Sequence, residues 1–555
     1  MVNGMGRCQH FVLASVVGLA VVSPCWSQWA GELDALNAPV FGGNPNDRFG
    51  EAVVWAPQYV AVGTPRYDYW PPLQPIRSNS GVVHIYKPNI GAFGIYSHET
   101  SLIVGDVRAN DFFGAAIAGD NGWLVVGSPG RNLGPNGVGL PQAGAAYVLR
   151  RSAGSSGGPD NWALMGGQLA HPQPAAIDTF GVSVAIDSRH GFPVTVAVGA
   201  SLDDAPSVDC GSVSVFELNP LTGSFDHKAL IGSPILPGMS AQSANSGLFG
   251  CSVALQGDVL VVGAKRRTLS VDKQGLVFVF ERNLPEGTPV ILPTAQSPQP
   301  SWGPWKLRQV LTRVGQALVS EEFGASMHLT GMRLLVGAPG SSLSPGTVSA
   351  FERVPLPAGG AAFNQLQLLT HPYPLNGELF GTSVKAVGDM FFVGVPGFDA
   401  GLPPNQLQSR GVVYQFTRLE GCSDWQLGLT VHPLNNETTI DPTVNCYVDN
   451  ANFGWSIDVG GGLLFVGAPR ADNTQVSQGL VMVYEAPEGT CEGDFNGDLR
   501  IDGSDLAYLI ERWGGSMPSD ARADLNNSKT VDGSDLTILL GRWGVCNCDI
   551  VPGEP

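Results

Sequence analysis

The chain has 555 residues, of which 43% are hydrophobic and only 14% are charged, so it is long enough to bury a large core. Its 73 glycines and 42 prolines favour short strands and turns over long helices, and the lack of a Gly-X-Y period excludes collagen. A formal net charge of −18 argues against a nucleic-acid or anionic-membrane partner.

The N-terminus is typical of an export signal. Arg7 supplies positive charge, and the apolar stretch "FVLASVVGLAVV" (residues 11–22) is short for a membrane span. Small residues at Cys25 and Ser27 fit cleavage after Ser27, and a membrane anchor is the alternative. No later stretch reaches the roughly 18 apolar residues of a span, so we expect a secreted, extracellular or cell-surface protein without one once the signal is removed.

Seven Phe-Gly pairs divide the body of the chain into repeats. A Val-Gly step follows each pair, and its glycine lies 14 residues after the phenylalanine in six repeats and 19 in the third. A fixed distance is expected for two strands joined by a tight turn, because a slip of one residue would move every buried side chain to the other face. The phenylalanines are Phe49, Phe113, Phe180, Phe249, Phe323, Phe380 and Phe453.

A third alternating strand follows in every repeat, as in "GVVHIYK" and "GLVFVFE", and a fourth in most linkers, as in "WKLRQVLT". Four strands per repeat predict the blades of a β-propeller. The last repeat stops after its third strand, and Trp29–Pro39 has the pattern of a fourth strand. We therefore expect Trp29–Pro39 to pair beside Gly479–Glu485 and close the ring, which removes two open sheet edges.

The seven "FG" and "GAP"-type motifs in phase resemble the FG-GAP repeat family, which includes the integrin alpha-chain propeller. The resemblance covers about Gln28–Ala486 and implies a mainly β fold with seven blades. In many family members an aspartate-rich calcium loop follows "GAP". None of the corresponding stretches here alternates Asp or Asn with glycine, which argues against calcium in the blades; "SLDDAPSVD" (residues 201–209) comes nearest.

Two similar segments near the C-terminus predict calcium loops. "DFNGDLRIDGSD" begins at Asp494 and "DLNNSKTVDGSD" begins at Asp524, and both place oxygen atoms at positions 1, 3, 5, 7, 9 and 12 of a loop, as Ca²⁺ requires. Position 8 of the first loop, Ile501, should point to the core. The predicted ligands are Asp494, Asn496, Asp498, the carbonyl of Arg500, Asp502 and Asp505, then Asp524, Asn526, Ser528, the carbonyl of Thr530, Asp532 and Asp535.

After each loop the pattern predicts a helix that ends near Gly514 or Gly544, and Leu506, Leu509, Ile510 and Trp513 form one apolar stripe on the first. The duplicated loop and helix resemble a type I dockerin module over about Cys491–Cys548. The resemblance implies two bound Ca²⁺ ions and a cohesin-like or cell-surface partner, and a calcium-stabilised cap without a partner is the alternative. The partner-contacting positions would be Gly503, Ser504, Gly533 and Ser534.

The sequence thus predicts a signal peptide (1–27), a seven-bladed propeller (28–486), a linker (487–490), a small α-helical calcium-loop domain (491–548) and a tail (549–555). Export permits disulfides, and local loop closure predicts Cys422–Cys446 and a bond from Cys491 to Cys546 or Cys548. Cys210 and Cys251 stay unassigned.

No catalytic grouping is evident. His171, His371 and His432, each before a proline, are expected on the outer rim as repeat positions, and the acids before the Phe-Gly pairs are interpreted as turn residues: Asp47, Asp111, Asp178, Glu322 and Glu378. Two functional hypotheses follow. In the first, a secreted, calcium-binding adhesion protein presents propeller loops to an extracellular protein or glycan and is tethered by its dockerin-like module. In the second, the propeller is a secreted polysaccharide hydrolase with a carboxylate pair in a cleft.

Overall fold

The structure is a computed structural model, and its described part has several gaps. It comprises residues 32–36, 45–70, 75–89, 94–134, 139–154, 159–189, 193–204, 207–236, 245–284, 290–291, 301–315, 318–331, 333–340, 345–356, 361–372, 374–375, 377–388, 390–399, 409–418, 424–433, 450–472, 477–486, 500–501, 503–514, 523, 525, 530–541 and 543–545.

Seven antiparallel sheets, one per repeat, form the blades of a β-propeller. The strands are β1 (Glu32–Leu36); in blade 1, β2 (Ala52–Ala56), β3 (Tyr59–Thr64), β4 (Val82–Pro88) and β5 (Tyr96–Leu102); in blade 2, β6 (Ala116–Asp120), β7 (Trp123–Ser128), β8 (Ala145–Ser152) and β9 (Asn161–Leu169); in blade 3, β10 (Ser183–Asp187), β11 (Thr195–Ala200), β12 (Ser212–Leu218) and β13 (Phe225–Gly232); in blade 4, β14 (Phe249–Gln256), β15 (Val259–Ala264), β16 (Leu276–Arg282), β17 (Ser301–Trp302) and β18 (Trp305–Leu311); in blade 5, β19 (Ser326–Thr330), β20 (Arg333–Ala338), β21 (Thr347–Pro355) and β22 (Ala361–Thr370); in blade 6, β23 (Ser383–Val387), β24 (Met390–Val395), β25 (Val412–Arg418) and β26 (Trp425–Val431); and in blade 7, β27 (Ser456–Gly460), β28 (Leu463–Ala468) and β29 (Leu480–Glu485).

The first strand of each blade lies against the first strands of both neighbouring blades, so that β2, β6, β10, β14, β19, β23 and β27 make a closed circle around the axis. Each second strand is buried almost throughout, as the near-continuous hydrophobic runs "YVAVG" and "LLFVG" require. The fourth strands are outermost, and most of their side chains are exposed or half-buried. The core therefore lies between the blades, in layers that adjacent sheets share.

The ring closes through the N-terminal strand, as the missing seventh fourth strand predicts. β1 pairs antiparallel with β29, with Leu36 opposite Val481 and Ala35 opposite Met482. The side chain of Leu36 is buried in the cluster that joins blade 7 to blade 1. The predicted closure is confirmed, and blade 7 has the strand order β1-β29-β28-β27.

The Phe-Gly turn of each blade is hydrogen-bonded both to its own blade and to the preceding one. In blade 2 the N–H of Phe113 donates to the carbonyl of Ser80 in blade 1 at 3.0 Å. The N–H of Gly114 donates to the carbonyl of Gly127 within blade 2, also at 3.0 Å. The phenylalanine rings of all seven turns are fully or almost fully buried. Each turn therefore ties two sheets together while its ring fills the space between them.

Two glycines of the motif are required by close backbone approach. A Cβ on Gly81, at a φ of +83°, would lie 2.1 Å from the carbonyl oxygen of Phe113. A Cβ on Gly63, the glycine of the Val-Gly step, would lie 2.1 Å from the carbonyl oxygen of Gly114. Neither approach leaves room for a side chain, which explains why the sequence repeats glycine at both positions.

Five blades carry an additional bond that two blades lack. The serine two residues after the Phe-Gly pair donates its hydroxyl hydrogen to the carbonyl of the glycine of the next blade's Phe-Gly pair, at 2.6–2.8 Å. We call this bond the serine clasp; its donors are Ser183, Ser252, Ser326, Ser383 and Ser456. Blades 1 and 2 have Ala52 and Ala116 at the same position. We call the boundary between two adjacent blades a seam. The seams on both sides of blade 2 therefore lack the clasp.

Outside the sheets, β30 (Arg500–Ile501), α1 (Gly503–Glu511), α2 (Gly533–Gly541) and β31 (Gly544–Val545) belong to the C-terminal module. No helix in the described part of the chain is long and apolar enough to cross a membrane. Cys210 and Cys251 are unbridged thiols. The predicted disulfide cysteines Cys422, Cys446, Cys491, Cys546 and Cys548 lie outside the described residues, as does the predicted signal peptide.

The serine clasp generates a stability prediction. Replacing Ala52 and Ala116 with serine should raise the free energy of unfolding of the propeller by about 0.5–1.5 kcal/mol per site, because each new hydroxyl reaches a carbonyl that already lies at the seam. Ser383→Ala should lower it by a similar amount. Urea unfolding followed by tryptophan fluorescence measures both, and a loss of stability in Ala52→Ser would contradict the interpretation.

Candidate functional site

The C-terminal module is built from two loop-helix units around a small core. β30 pairs antiparallel with β31, with Arg500 opposite Val545 and Ile501 opposite Gly544. Ile501 is buried, as predicted for position 8 of the first loop, and Val531 is buried at the same position of the second. The buried cluster comprises Ile501, Tyr508, Leu509, Ala523, Leu525, Val531 and Leu539.

The described ligand candidates of both loops include a fully buried carboxylate at position 12. Asp505 and Asp535, each in the first turn of its helix, have 0% exposure. The carboxylate of Asp535 accepts the N–H of Asp532 at 2.8 Å, and that of Asp532 accepts the N–H of Ser534 at 2.7 Å. The predicted ligands Asp494, Asn496, Asp498, Asp502, Asp524, Asn526 and Ser528 lie outside the described residues.

This arrangement fits a hard cation. A buried ionised carboxylate is costly unless hydrogen bonds or a cation compensate it, and the seven buried residues of the described core offer little hydrophobic free energy to offset that cost. Carboxylate and main-chain oxygens are the ligands that Ca²⁺ prefers. Within the described residues no group of three or more His, Cys, Asp or Glu side chains is positioned around a metal, since most loop ligands fall outside them.

Each unit of the module leaves two large apolar side chains exposed. Ile510 and Trp513 are 53% and 48% exposed, and the corresponding Leu540 and Trp543 are 50% and 48% exposed. The predicted apolar stripe is therefore only partly a core stripe, because Leu509 is buried, Leu506 is half-buried and the other two residues face solvent. We call these four exposed residues the apolar pairs.

Both helices end three residues before the glycines at which we predicted them to stop. α1 ends at Glu511, and the chain reaches Gly514, at a φ of +76°, through a turn whose last N–H donates to the carbonyl of Val531 at 2.9 Å. α2 ends at Gly541, and Gly544 belongs to β31, so the prediction of a helix stop at Gly544 was wrong. Of the predicted partner-contacting residues, Gly503, Gly533 and Ser534 are exposed, and the side chain of Ser504 is outside the described part.

On the propeller, exposed apolar side chains concentrate on one face. Since strands alternate in direction, the connections from second to third strands and from fourth strands to the next blade emerge on the side of the Phe-Gly turns, which we call the FG face. Among the described residues, nine large apolar side chains are exposed in these connections, against one, Leu221, in a connection of the opposite face. The nine are Trp70, Ile76, Ile177, Val208, Ile235, Val314, Leu318, Val319 and Leu375.

The His-Pro histidines of blades 2 and 5, which we expected on the outer rim as repeat positions, are buried. The imidazole of His171 lies 3.4 Å from the carboxylate of Asp203, and its ring centroid lies 6.0 Å from that of Phe180. Burial alone would lower the pKa of His171, but the bond to Asp203 outweighs it and the pKa is raised. His371 has the same position, 3.5 Å from Glu378 and beneath Phe380. Both histidines therefore pack under the Phe-Gly turn of the next blade.

The acids before the Phe-Gly pairs hold the turns. In four blades the buried carboxylate two residues before the phenylalanine accepts the N–H three residues earlier, as Asp111 accepts that of Arg108 at 2.7 Å and Glu378 that of Leu375 at 3.0 Å. In blade 5 this residue is Glu321, which bonds the N–H of Leu318, and not Glu322 as expected. The interpretation as turn residues is confirmed for Asp111, Asp178 and Glu378. They are engaged by the backbone and do not form a carboxylate pair in an open cleft.

Comparison with protein families supports both halves of this description. The FG-GAP repeat model matches residues 96–149 and 242–280, and the Dockerin type I domain model matches residues 492–542. Neither is a catalytic family. Comparison with curated proteins found no match.

Among solved structures, the chain is similar to Sqt1 from Chaetomium thermophilum, with 14% identity, a TM-score of 0.42 and coverage of 80% of this chain and 98% of that chain. Sqt1 from Saccharomyces cerevisiae has 12% identity, a TM-score of 0.36 and coverage of 81% and 98%. The repeats, the blades and the C-terminal match together identify the chain as an FG-GAP-repeat, seven-bladed β-propeller protein that ends in a type I dockerin domain.

Proposed function

We propose that the protein is an exported binding protein. Its dockerin domain, within residues 491–548, attaches it to a cohesin-type or cell-surface protein, and its propeller, within residues 28–486, presents the FG face to an extracellular protein or glycan. Dockerin domains bind cohesins, and proteins that contain them are typically extracellular or on the cell surface. Residues 1–27 would be the signal, residues 487–490 the linker and residues 549–555 a tail.

The observation that carries the tethering proposal is the repetition of exposed apolar residues on the dockerin domain. Ile510 with Trp513, and Leu540 with Trp543, expose about half of each side chain, although the described core of the module is small and could gain from burying them. Large exposed apolar groups, tryptophan above all, mark protein interaction sites. A cap that served only to stabilise the propeller would bury them. These residues therefore favour a partner over the cap alternative.

Calcium is the cofactor that the proposal requires, with one ion in each loop. Type I dockerin domains are typically calcium-binding. The first loop would use Asp494, Asn496, Asp498, the carbonyl of Arg500, Asp502 and Asp505; the second would use Asp524, Asn526, Ser528, the carbonyl of Thr530, Asp532 and Asp535. When bound, the ion would compensate the buried carboxylates and fix the start of each helix. The apolar pairs would then have a defined spacing.

The distribution of exposed apolar side chains favours the FG face as the ligand surface of the propeller. The connections on this face are long enough to vary, and the bonds of the Phe-Gly turns hold their ends. Val314, Leu318 and Val319 all belong to the connection between blades 4 and 5. No observation favours the polysaccharide hydrolase alternative, since the acids of the repeat are buried in turn bonds.

Calcium removal should unfold the dockerin domain and leave the propeller folded. We expect calorimetry of the full chain to show two transitions in Ca²⁺ and only the propeller transition in chelator. Asp494→Ala with Asp505→Ala should weaken the calcium-dependent transition more than Asp524→Ala with Asp535→Ala, because the first loop has four carboxylates and the second has three. The same calorimetric profile with Ca²⁺ and with chelator would contradict calcium as the cofactor.

The apolar pairs should carry partner binding. We expect the full chain to bind at least one type I cohesin module of an immobilised panel in Ca²⁺, and Trp513→Ala with Trp543→Ala to weaken that binding about tenfold or more, as for hot-spot residues. Leu221→Ala, which removes an even more exposed apolar side chain on the propeller, is the control. Binding that survives the double tryptophan variant would contradict the assignment, and a full panel without calcium-dependent binding would contradict the tether.

The FG face should carry ligand binding by the propeller. Leu318→Asp with Val319→Asp changes an exposed part of this face without touching a blade core, and Leu221→Asp makes the same change on the opposite face. On arrays of extracellular glycans and matrix proteins, any ligand bound by the parent chain should be lost in the first variant and kept in the second. The reverse pattern would place the ligand surface on the other face.

A further inference from the structure

Two histidines of blade 1 converge on one hydroxyl group. His84 on β4 lies directly opposite Ser101 on β5, and His98 precedes a bulge in the same strand pair. Nδ1 of His84 lies 2.9 Å from Oγ of Ser101, and Nε2 of His98 lies 3.1 Å from the same atom. The bulge therefore brings imidazoles from two adjacent strands to a common point.

The surroundings fix both rings and leave one side open. His84 is buried, and its ring centroid lies 5.7 Å from that of Phe49 and 6.2 Å from that of Tyr67. The ring of His98 packs edge-on against Tyr86 at 5.4 Å, while His98 and Ser101 are exposed to solvent. Rings held by packing are preorganised ligands, and the open side lets an ion enter and retain water.

Among the residues that the structure describes, neither imidazole is hydrogen-bonded to a carboxylate that would keep it protonated. Burial lowers the pKa of His84 to about 3 and also lowers that of His98. The neighbouring carboxylate of Glu99 is instead paired with Lys87 at 2.6 Å and accepts the N–H of Asp160. Both rings therefore have a nitrogen lone pair available at neutral pH.

The fold does not require histidine at these positions. The residues that correspond to His84 in the other blades are Tyr147, Ser214, Phe278, Ser349, Tyr414 and Met482. Blade 3 has His227 at the position of His98, opposite Phe216, but Ser214 at the position of His84. Packing is satisfied elsewhere without a histidine pair, so blade 1 combines two ligands that the repeat itself does not demand.

We propose that His84 Nδ1 and His98 Nε2 bind a divalent transition-metal ion of the class that prefers imidazole, such as Zn²⁺ or Cu²⁺. Water and the hydroxyl of Ser101 would complete the coordination. Imidazole suits these ions, whereas Ca²⁺ prefers the oxygen-rich loops of the dockerin domain.

The hydrogen bonding of His84 predicts a moderate metal affinity. Nε2 of His84 is buried and has no hydrogen-bond partner among the described residues. A metal on Nδ1 leaves the proton on Nε2, where no acceptor orients or polarises the ring, and such missing partners weaken metal sites. The site would therefore respond to the concentration of free metal and would not retain its ion permanently.

The test compares Zn²⁺ binding by the full chain and three variants in excess Ca²⁺, so that the dockerin loops are filled. His98→Asn changes an exposed side chain and should keep the fold. His84→Phe introduces the residue that blade 4 has at this position. His227→Asn is the matched control. It removes an exposed histidine at the same strand position, and the neighbouring strand of blade 3 has Ser214 where blade 1 has His84.

Calorimetry and equilibrium dialysis give the stoichiometry. We expect the parent chain and His227→Asn to bind one more Zn²⁺ per chain than His98→Asn and His84→Phe, and Zn²⁺ to raise the melting temperature of the first two proteins only. Cys210 and Cys251 are common to all four proteins and cannot produce this difference. Equal Zn²⁺ uptake by the parent chain and His98→Asn would overturn the proposal.

Discussion

The structure depends on the close contact between the Phe-Gly turn of one blade and the backbone of the blade before it. The turn donates one N–H across the seam and one within its own blade, and the two glycines that face it leave no space for a side chain. Each bond is worth only about 0.5–1.5 kcal/mol, but the same bond is repeated around a closed circle. The opening of one seam is opposed by all the others, so a ring of short sheets becomes one cooperative body.

This contact explains why the overall architecture could be predicted from the sequence. The motif residues are those that the seam constrains, and seven seams make seven copies in phase. The closure by Glu32–Leu36 was predictable for a related reason, since a ring of blades leaves one strand to be supplied from the other end of the chain. The repeat also predicted turn residues among the acids before the Phe-Gly pairs. In blade 5 the turn is held by Glu321 and not Glu322, because the turn position lies two residues before Phe323.

Other features could not be predicted because they depend on what lies across a sheet or around a helix. A helical period places Ile510 and Trp513 on the same stripe as Leu509, but the core of a two-helix module covers only part of that stripe. The burial of His171 and His371 follows from the position of the next blade's phenylalanine. The convergence of His84 and His98 requires a bulge in the β4–β5 pairing, and fourteen residues of sequence separation do not show it.

The two halves of the chain differ in what holds them together, and this difference bears on function. The propeller is stabilised by shared apolar layers and by backbone bonds between adjacent blades. The described core of the dockerin domain is small and stands beside two fully buried carboxylates, and on the proposed function calcium in the loops would contribute to its free energy of folding. Loss of calcium would therefore release the tether and leave the FG face intact. On the proposed function, the binding surface would persist while its attachment depended on the calcium concentration outside the cell.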